Sequence, residues 1–98
     1  MLTLEEINKE IQKYTGWKLI EGLGTEPNII QKEFSFNKYL EGIGFVHKVA
    51  QKAEEANHHP DILIKYAKVI VSISTHDAGG VTEKDFQLAQ KIDLLVNS

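Results

Sequence analysis

The chain has 98 residues, 42% of them apolar and 26% charged, with a formal charge of -3 and no cysteine. This length predicts one domain over residues 1–98, and the missing cysteines exclude disulfides, thiolate metal sites and a cysteine nucleophile. All 11 basic residues are lysine, so neither the charge balance nor arginine readout of bases favours direct nucleic-acid binding.

No apolar run approaches the ~20 residues of a membrane span. The opening Met1-Leu-Thr-Leu-Glu-Glu6 turns acidic at once, unlike a cleavable leader, and a cytoplasmic location is the expectation.

Thr3 with Glu6 reads as a capping box, followed by Leu4, Ile7 and Ile11 on one helical face. This helix is expected to end near Tyr14-Thr15-Gly16, with Gly16 in the left-handed conformation favoured past a helix end. Residues 17–20 and 29–36 predict a hairpin, with Phe34 and Phe36 on one face and a loop over 21–28 containing Gly22, Gly24 and Pro27.

Asn37 is the expected N-cap of a long helix reaching about residue 56, on the spacing of Leu40, Ile43, Val46, Val49, Ala50 and Ala53. Gly42 and Gly44 fall inside it, each costing about 1 kcal/mol relative to alanine; close backbone approach is the usual compensation. Alternation at Ile62, Ile64 and Tyr66, then at Val69, Val71 and Ile73, predicts a second hairpin turning at Ala67-Lys68 and pairing with the first. Thr82 caps a last helix marked by Phe86, Ala89, Ile92 and Val96.

The predicted order is α-β-β-α-β-β-α: an α+β domain with a four-stranded antiparallel sheet covered on one face by three helices.

Three of the 4 histidines, His58, His59 and His76, lie between Glu54 and Asp85. Imidazoles titrate near 6.5 and can both give and take a proton at neutral pH. A metal site fits less well, because adjacent His58 and His59 diverge in either a strand or a helix and cannot easily share one ion. Ser72 and Ser74 do not sit in a nucleophile-elbow sequence. His47, in the middle of the long helix, is given no role.

Asp85 stands three residues after Thr82 and reads first as a helix-start carboxylate. Glu54, one helical turn before His58, is expected to interact with it and orient its ring. Pro60 keeps His59 out of the helical conformation and stiffens the turn. Tyr66 and Trp17 read as core aromatics, and Trp17 alternatively as a wall for a flat ligand.

The series Glu54, His58-His59-Pro60, Tyr66, His76 and Asp85 resembles the pterin-4a-carbinolamine dehydratase family, known in animals also as the dimerization cofactor of a hepatocyte transcription factor. Gly16-Trp17, Phe34-Ser-Phe36, Gly44-Phe45 and residues 75–82 look like family positions too, so the resemblance covers most of the chain. It implies an α+β fold with a four-stranded antiparallel sheet, assembled as a homodimer or homotetramer. The reaction it implies is loss of water from a 4a-hydroxytetrahydropterin, giving a quinonoid dihydropterin and recycling the tetrahydropterin after aromatic amino-acid hydroxylation. Neither a metal nor an organic cofactor is implied.

By the same resemblance, His58 and His76 would be the general acid and base, His59 would position the pterin and Glu54 would orient the site. Pro60 would shape the turn, with Trp17, Thr75 and Asp77 near the pocket, and Tyr66 and Asp85 as structural support. The sequence departs from the family pattern at Asn57, often acidic in relatives, and at Ile62, often tryptophan. Two further readings stay open: a protein-interaction module using helix 38–56, and the same fold acting on another pterin or heterocycle.

Overall fold

The structure, a computed structural model, describes residues 1–96; positions 97 and 98 of the domain expected over 1–98 lie outside the described residues. Helix α1 spans Leu4–Glu10 and carries the capping box, Glu6 N donating to Thr3 Oγ1 (3.1 Å) and Thr3 N to Glu6 Oε1 (2.9 Å). It ends earlier than expected, because the chain tightens into a 3-10 turn over Ile11–Lys13, a usual way to satisfy the last carbonyls of a helix. Gly16 supplies the positive φ, at 88°.

Strands β1 (Lys18–Ile20), β2 (Ile29–Ser35), β3 (Asp61–Lys65) and β4 (Lys68–Ile73) form one antiparallel sheet in the order β1-β2-β4-β3. The two hairpins therefore pair with each other, as expected, and they do so through β2 and β4. Ile30 pairs with Ile73 and Phe34 with Val69, and all four are buried, so the alternation sends one face of the sheet into the core. On the other face, Gln31 Nε2 donates to Ser72 Oγ (3.0 Å), which gives that serine a structural partner.

The second turn falls at Tyr66-Ala67, one residue earlier than expected. Tyr66 takes the left-handed conformation there (φ 49°) and is 76% exposed. The expectation of a core aromatic is thereby corrected: the positive φ that closes the hairpin breaks the alternation begun by Ile62 and Ile64.

Helix α2 spans Tyr39–Ala56, with Lys38 at its N-cap instead of Asn37. The Glu41 carboxylate reaches back to accept from the amides of Asn37 and Lys38 (3.1 and 3.2 Å). Its buried stripe is Gly42, Phe45, Val49 and Ala53: of the expected face Val49 and Ala53 are buried, Ile43 and Val46 are half-buried, and Leu40, 75% exposed, and Ala50 face outward. Both sides of the helix carry apolar residues, and the bulkiest ring decides: Phe45 packs on Phe34 and Phe36 at centroid distances of 4.7 and 5.1 Å.

Gly42 has the packing reason expected of it, since a Cβ there would lie 3.3 Å from Val69 Cγ2. Gly44 has none, with nothing within 4 Å of its Cβ position. Helix α3 spans Glu83–Val96 and buries Asp85, Phe86, Leu88, Ala89 and Ile92. Among the described residues no helix is long and apolar enough to cross a membrane.

Candidate active site

The histidine pair is set by how α2 ends. Asn57 adopts the left-handed conformation (φ 49°, ψ 44°), its amide donating to Glu54 O (3.2 Å) while the His58 amide donates to Ala53 O (3.0 Å). This is the hydrogen-bond pattern of a Schellman cap, for which asparagine is the usual substitute when glycine is absent. Asn57 thus has a backbone role of its own, as the residue that ends α2. Pro60, half-buried, leads into β3.

The cap also redirects the two rings. His58 is no longer on the helix, so its side chain turns inward, only 12% exposed, and meets a carboxylate from α3. His59 turns outward and pairs with Glu54, the two side chains being 56% and 77% exposed. The expected Glu54–His58 pair is corrected accordingly: Glu54 holds His59, and Asp85 holds His58.

Asp85 is fully buried, and its oxygens accept three hydrogen bonds. Oδ2 takes the Thr82 amide (2.8 Å) and the Thr75 hydroxyl (2.9 Å), and Oδ1 takes His58 Nε2–H (2.6 Å). With both oxygens accepting, Nε2 is the protonated ring nitrogen and Nδ1 the one left for a ligand. The helix-start role expected for Asp85 is present in the Thr82 bond, and its hold on His58 is an addition that the sequence reading did not make.

Thr75 follows β4 and starts a tight loop. Its amide donates to Gly80 O (2.8 Å), its carbonyl accepts from Ala78 and Gly79, and a 3-10 turn spans His76–Ala78. The loop closes on Gly79, at φ 73°. His76 and Asp77 lie exposed on this turn, and Thr75 ties its start to Asp85. Thr75, Asp77 and Thr82 also line an open depression toward Met1 and Leu2, and no histidine lines it.

Two expected residues lie elsewhere. Trp17 is buried beneath the far end of α3, where Nε1–H donates to both carboxylate oxygens of Asp93 (3.2 and 3.1 Å) and the ring meets Phe34 edge-on. Asp93 is about 12 Å along α3 from Asp85, and Trp17 serves the core. Tyr66 sits past the far end of β3, roughly 20 Å along the strand from Pro60. Ile62 packs half-buried against the core.

His58, Thr75, Thr82 and Asp85 thus form one bonded group, with His59–Glu54 on its solvent side and the His76 turn following Thr75. Among the described residues no three His, Asp or Glu side chains converge as a metal site would require. The arrangement suits proton transfer at His58, whose imidazole is braced by a buried carboxylate, while His59 and His76 are exposed.

Residues 1–95 match the family described as pterin 4 alpha carbinolamine dehydratase. The chain belongs to this family. A relative from Sulfurisphaera tokodaii, carrying that dehydratase name provisionally, is 46% identical over 95 residues, which is 97% of this chain and 96% of the relative. Another from Picosynechococcus sp., named in the same provisional way, is 45% identical over 94 residues, 96% of each chain. A crystal structure of a transcriptional coactivator/pterin dehydratase from Brucella melitensis superposes with a TM-score of 0.84 at 33% identity, covering 95% of both chains. A pterin dehydratase-like RuBisCO assembly factor of the alpha-carboxysome has the same fold, with a TM-score of 0.70 at 22% identity over 87% of this chain and 94% of its own.

Thr82 is the member of the bonded group that sequence reasoning treated only as a cap. The signal was present in Thr82-Glu-Lys-Asp85, a hydroxyl and a carboxylate one helical turn apart, but nothing in the sequence says that they face His58.

Proposed function

We propose that this protein dehydrates 4a-hydroxytetrahydropterins by imidazole acid–base chemistry, serving to recycle a tetrahydropterin. The observation that carries this reading is the 2.6 Å bond from His58 Nε2–H to a fully buried Asp85, in a chain whose family is that of the carbinolamine dehydratases. Elimination needs a proton delivered to the departing 4a-hydroxyl and another removed from a ring nitrogen, whose electron pair expels water. Water and a quinonoid dihydropterin are the products, and the protons balance without a redox step.

His58 presents Nδ1 to the substrate and works as one member of the acid–base pair. His76, on its exposed turn, is the other. His59 holds the pterin by hydrogen bonding, with its ring steadied by Glu54; that contact is solvated and adds little to stability, about 0–1 kcal/mol. Pro60 fixes the angle between the two histidines, and Thr75 and Asp77 border the loop that carries His76.

Purified protein mixed with freshly generated 4a-hydroxytetrahydropterin, followed by absorbance, is expected to consume it faster than buffer alone. No acceleration would sink the assignment. A homo-oligomeric assembly belongs to the same reading and is supported by exposed Tyr39 and Leu40 on the outer side of α2; a monomeric mass in light scattering would remove it.

A further inference from the structure

On the acid–base role read for His58, which this inference deepens and on which it rests, we propose that Thr82 is a positioning residue acting through Thr75 and Asp85. The direction of the hydrogen bonds follows from counting protons. Thr75 has one hydroxyl proton, and it goes to Asp85 Oδ2 at 2.9 Å. The 2.6 Å contact between the Thr75 and Thr82 hydroxyls must therefore carry the proton of Thr82. Thr82 Oγ1 accepts in turn from the Lys84 amide at 3.3 Å.

The chain of donors thus runs one way, from Lys84 N–H through Thr82 and Thr75 to Asp85, and hydrogen bonds in a chain of one polarity strengthen one another. Its effect is concentrated on one carboxylate oxygen. Oδ2 takes both the Thr75 hydroxyl and the Thr82 amide, leaving Oδ1 to His58 alone. Thr82 supplies two of these links, one from its backbone and one from its side chain. Loss of its hydroxyl leaves the buried Thr75 oxygen without its donor, so the hydroxyl that donates to Asp85 Oδ2 is polarised less and placed less firmly. The hold on Asp85 Oδ2 loosens, and the angle at which Asp85 sets the His58 ring is less sharply defined.

Thr82 also caps α3, so a loss of activity in Thr82→Val has a bland explanation that the experiment must separate. Dehydration of 4a-hydroxytetrahydropterin is measured for wild type, Thr82→Val, Thr82→Ser, Thr75→Val and the double valine variant, with Tm recorded for each. Thr82→Val is expected to lower kcat about fivefold, the effect of one neutral hydrogen bond, with KM within about twofold. Thr82→Ser, which keeps both donor and cap, restores kcat. In the Thr75→Val background, Thr82→Val lowers kcat by less than about twofold more, because the link it acts through is already gone. The Tm loss from the missing cap appears in both backgrounds.

Unchanged kcat in Thr82→Val, or losses that multiply in full in the double variant, would overturn the proposal. The ligand-free protein gives a second readout: the imidazole nitrogen resonances of His58 are expected to shift in Thr82→Val and to return in Thr82→Ser. Unshifted resonances overturn the positioning role whatever the activity. A wild-type protein without dehydratase activity, but with the shift, removes the acid–base reading and leaves the positioning role standing.

Discussion

Helix α3 carries two inward-facing aspartates about two turns apart, and each accepts from a ring N–H. Asp85 holds the imidazole of His58, and Asp93 holds the indole of Trp17. Each also has a second anchor: Thr75 and Thr82 at Asp85, and at Asp93 the Lys32 ammonium (2.9 Å), which also donates to Thr15 O (3.0 Å). The geometry is similar and the chemistry is not. Indole has no second nitrogen and does not titrate, so Asp93 can only fasten β2 and the entry of β1 to α3. Imidazole keeps Nδ1 free, so Asp85 fastens a group that can still exchange a proton. On the proposed acid–base reading one end of α3 is a clasp and the other belongs to the site, and the difference lies in the ring that is held.

The widest separation between the two ends comes from removing the rings' partners in turn. His58→Ala is expected to lower kcat about 10²- to 10⁴-fold in the pterin assay with the fold retained by circular dichroism; wild-type turnover would remove His58 from the chemistry. Asp85→Asn keeps the shape but weakens the hold on His58. A charge-assisted hydrogen bond of about 1.5–3 kcal/mol corresponds to roughly 10- to 150-fold in rate, read as a fall in kcat. Asp93→Asn tests the opposite end: kcat is expected to stay within about twofold, while thermal unfolding moves down by roughly 6–12 °C for a loss of about 1.5 kcal/mol. A fall in kcat at unchanged Tm would erase the distinction between clasp and site.

The smallest effect concerns α1, which touches neither aspartate. Bonds from the Thr3 backbone and hydroxyl hold the Glu6 carboxyl below its ordinary value. A depressed carboxyl contributes stability above its unfolded value, and that contribution is lost as pH falls through the folded one. Wild type should therefore lose slightly more stability than Glu6→Gln below about pH 4.5, measured by urea unfolding at several pH values. Parallel pH curves would show that the capping box adds nothing.

Much of this molecule is legible in sequence because it rests on short-range rules. Thr3 with Glu6, the alternation through Val69, Val71 and Ile73, and Gly16 past the first helix each act over a few residues, and the element order follows. What the sequence does not disclose is which side of an ambiguous segment faces in. Leu40 and Ala50 share the expected face with Val49 and Ala53, but the large ring of Phe45 takes the core and turns the first two outward. Residue types marked the site, but its wiring was hidden, because Asn57 ends the helix one residue before His58 and so exchanges the partners that periodicity would assign. The burial of Asp85 is likewise a tertiary fact: Thr82-Glu-Lys-Asp85 is an ordinary helix start until β4 and the end of α2 close over it.

Gly42 gives α2 a mechanical property. The helix approaches β4 closely at this residue, where even one methyl group would meet the fully buried Val69 at 3.3 Å. The end bearing Asn57 and His58 lies about 20 Å farther along the same rod. A side chain at Gly42 would have to lift α2 from β4 by a few tenths of an ångström or displace Val69. The absence of a side chain here is thus what lets the helix that ends at His58 lie this close to the sheet.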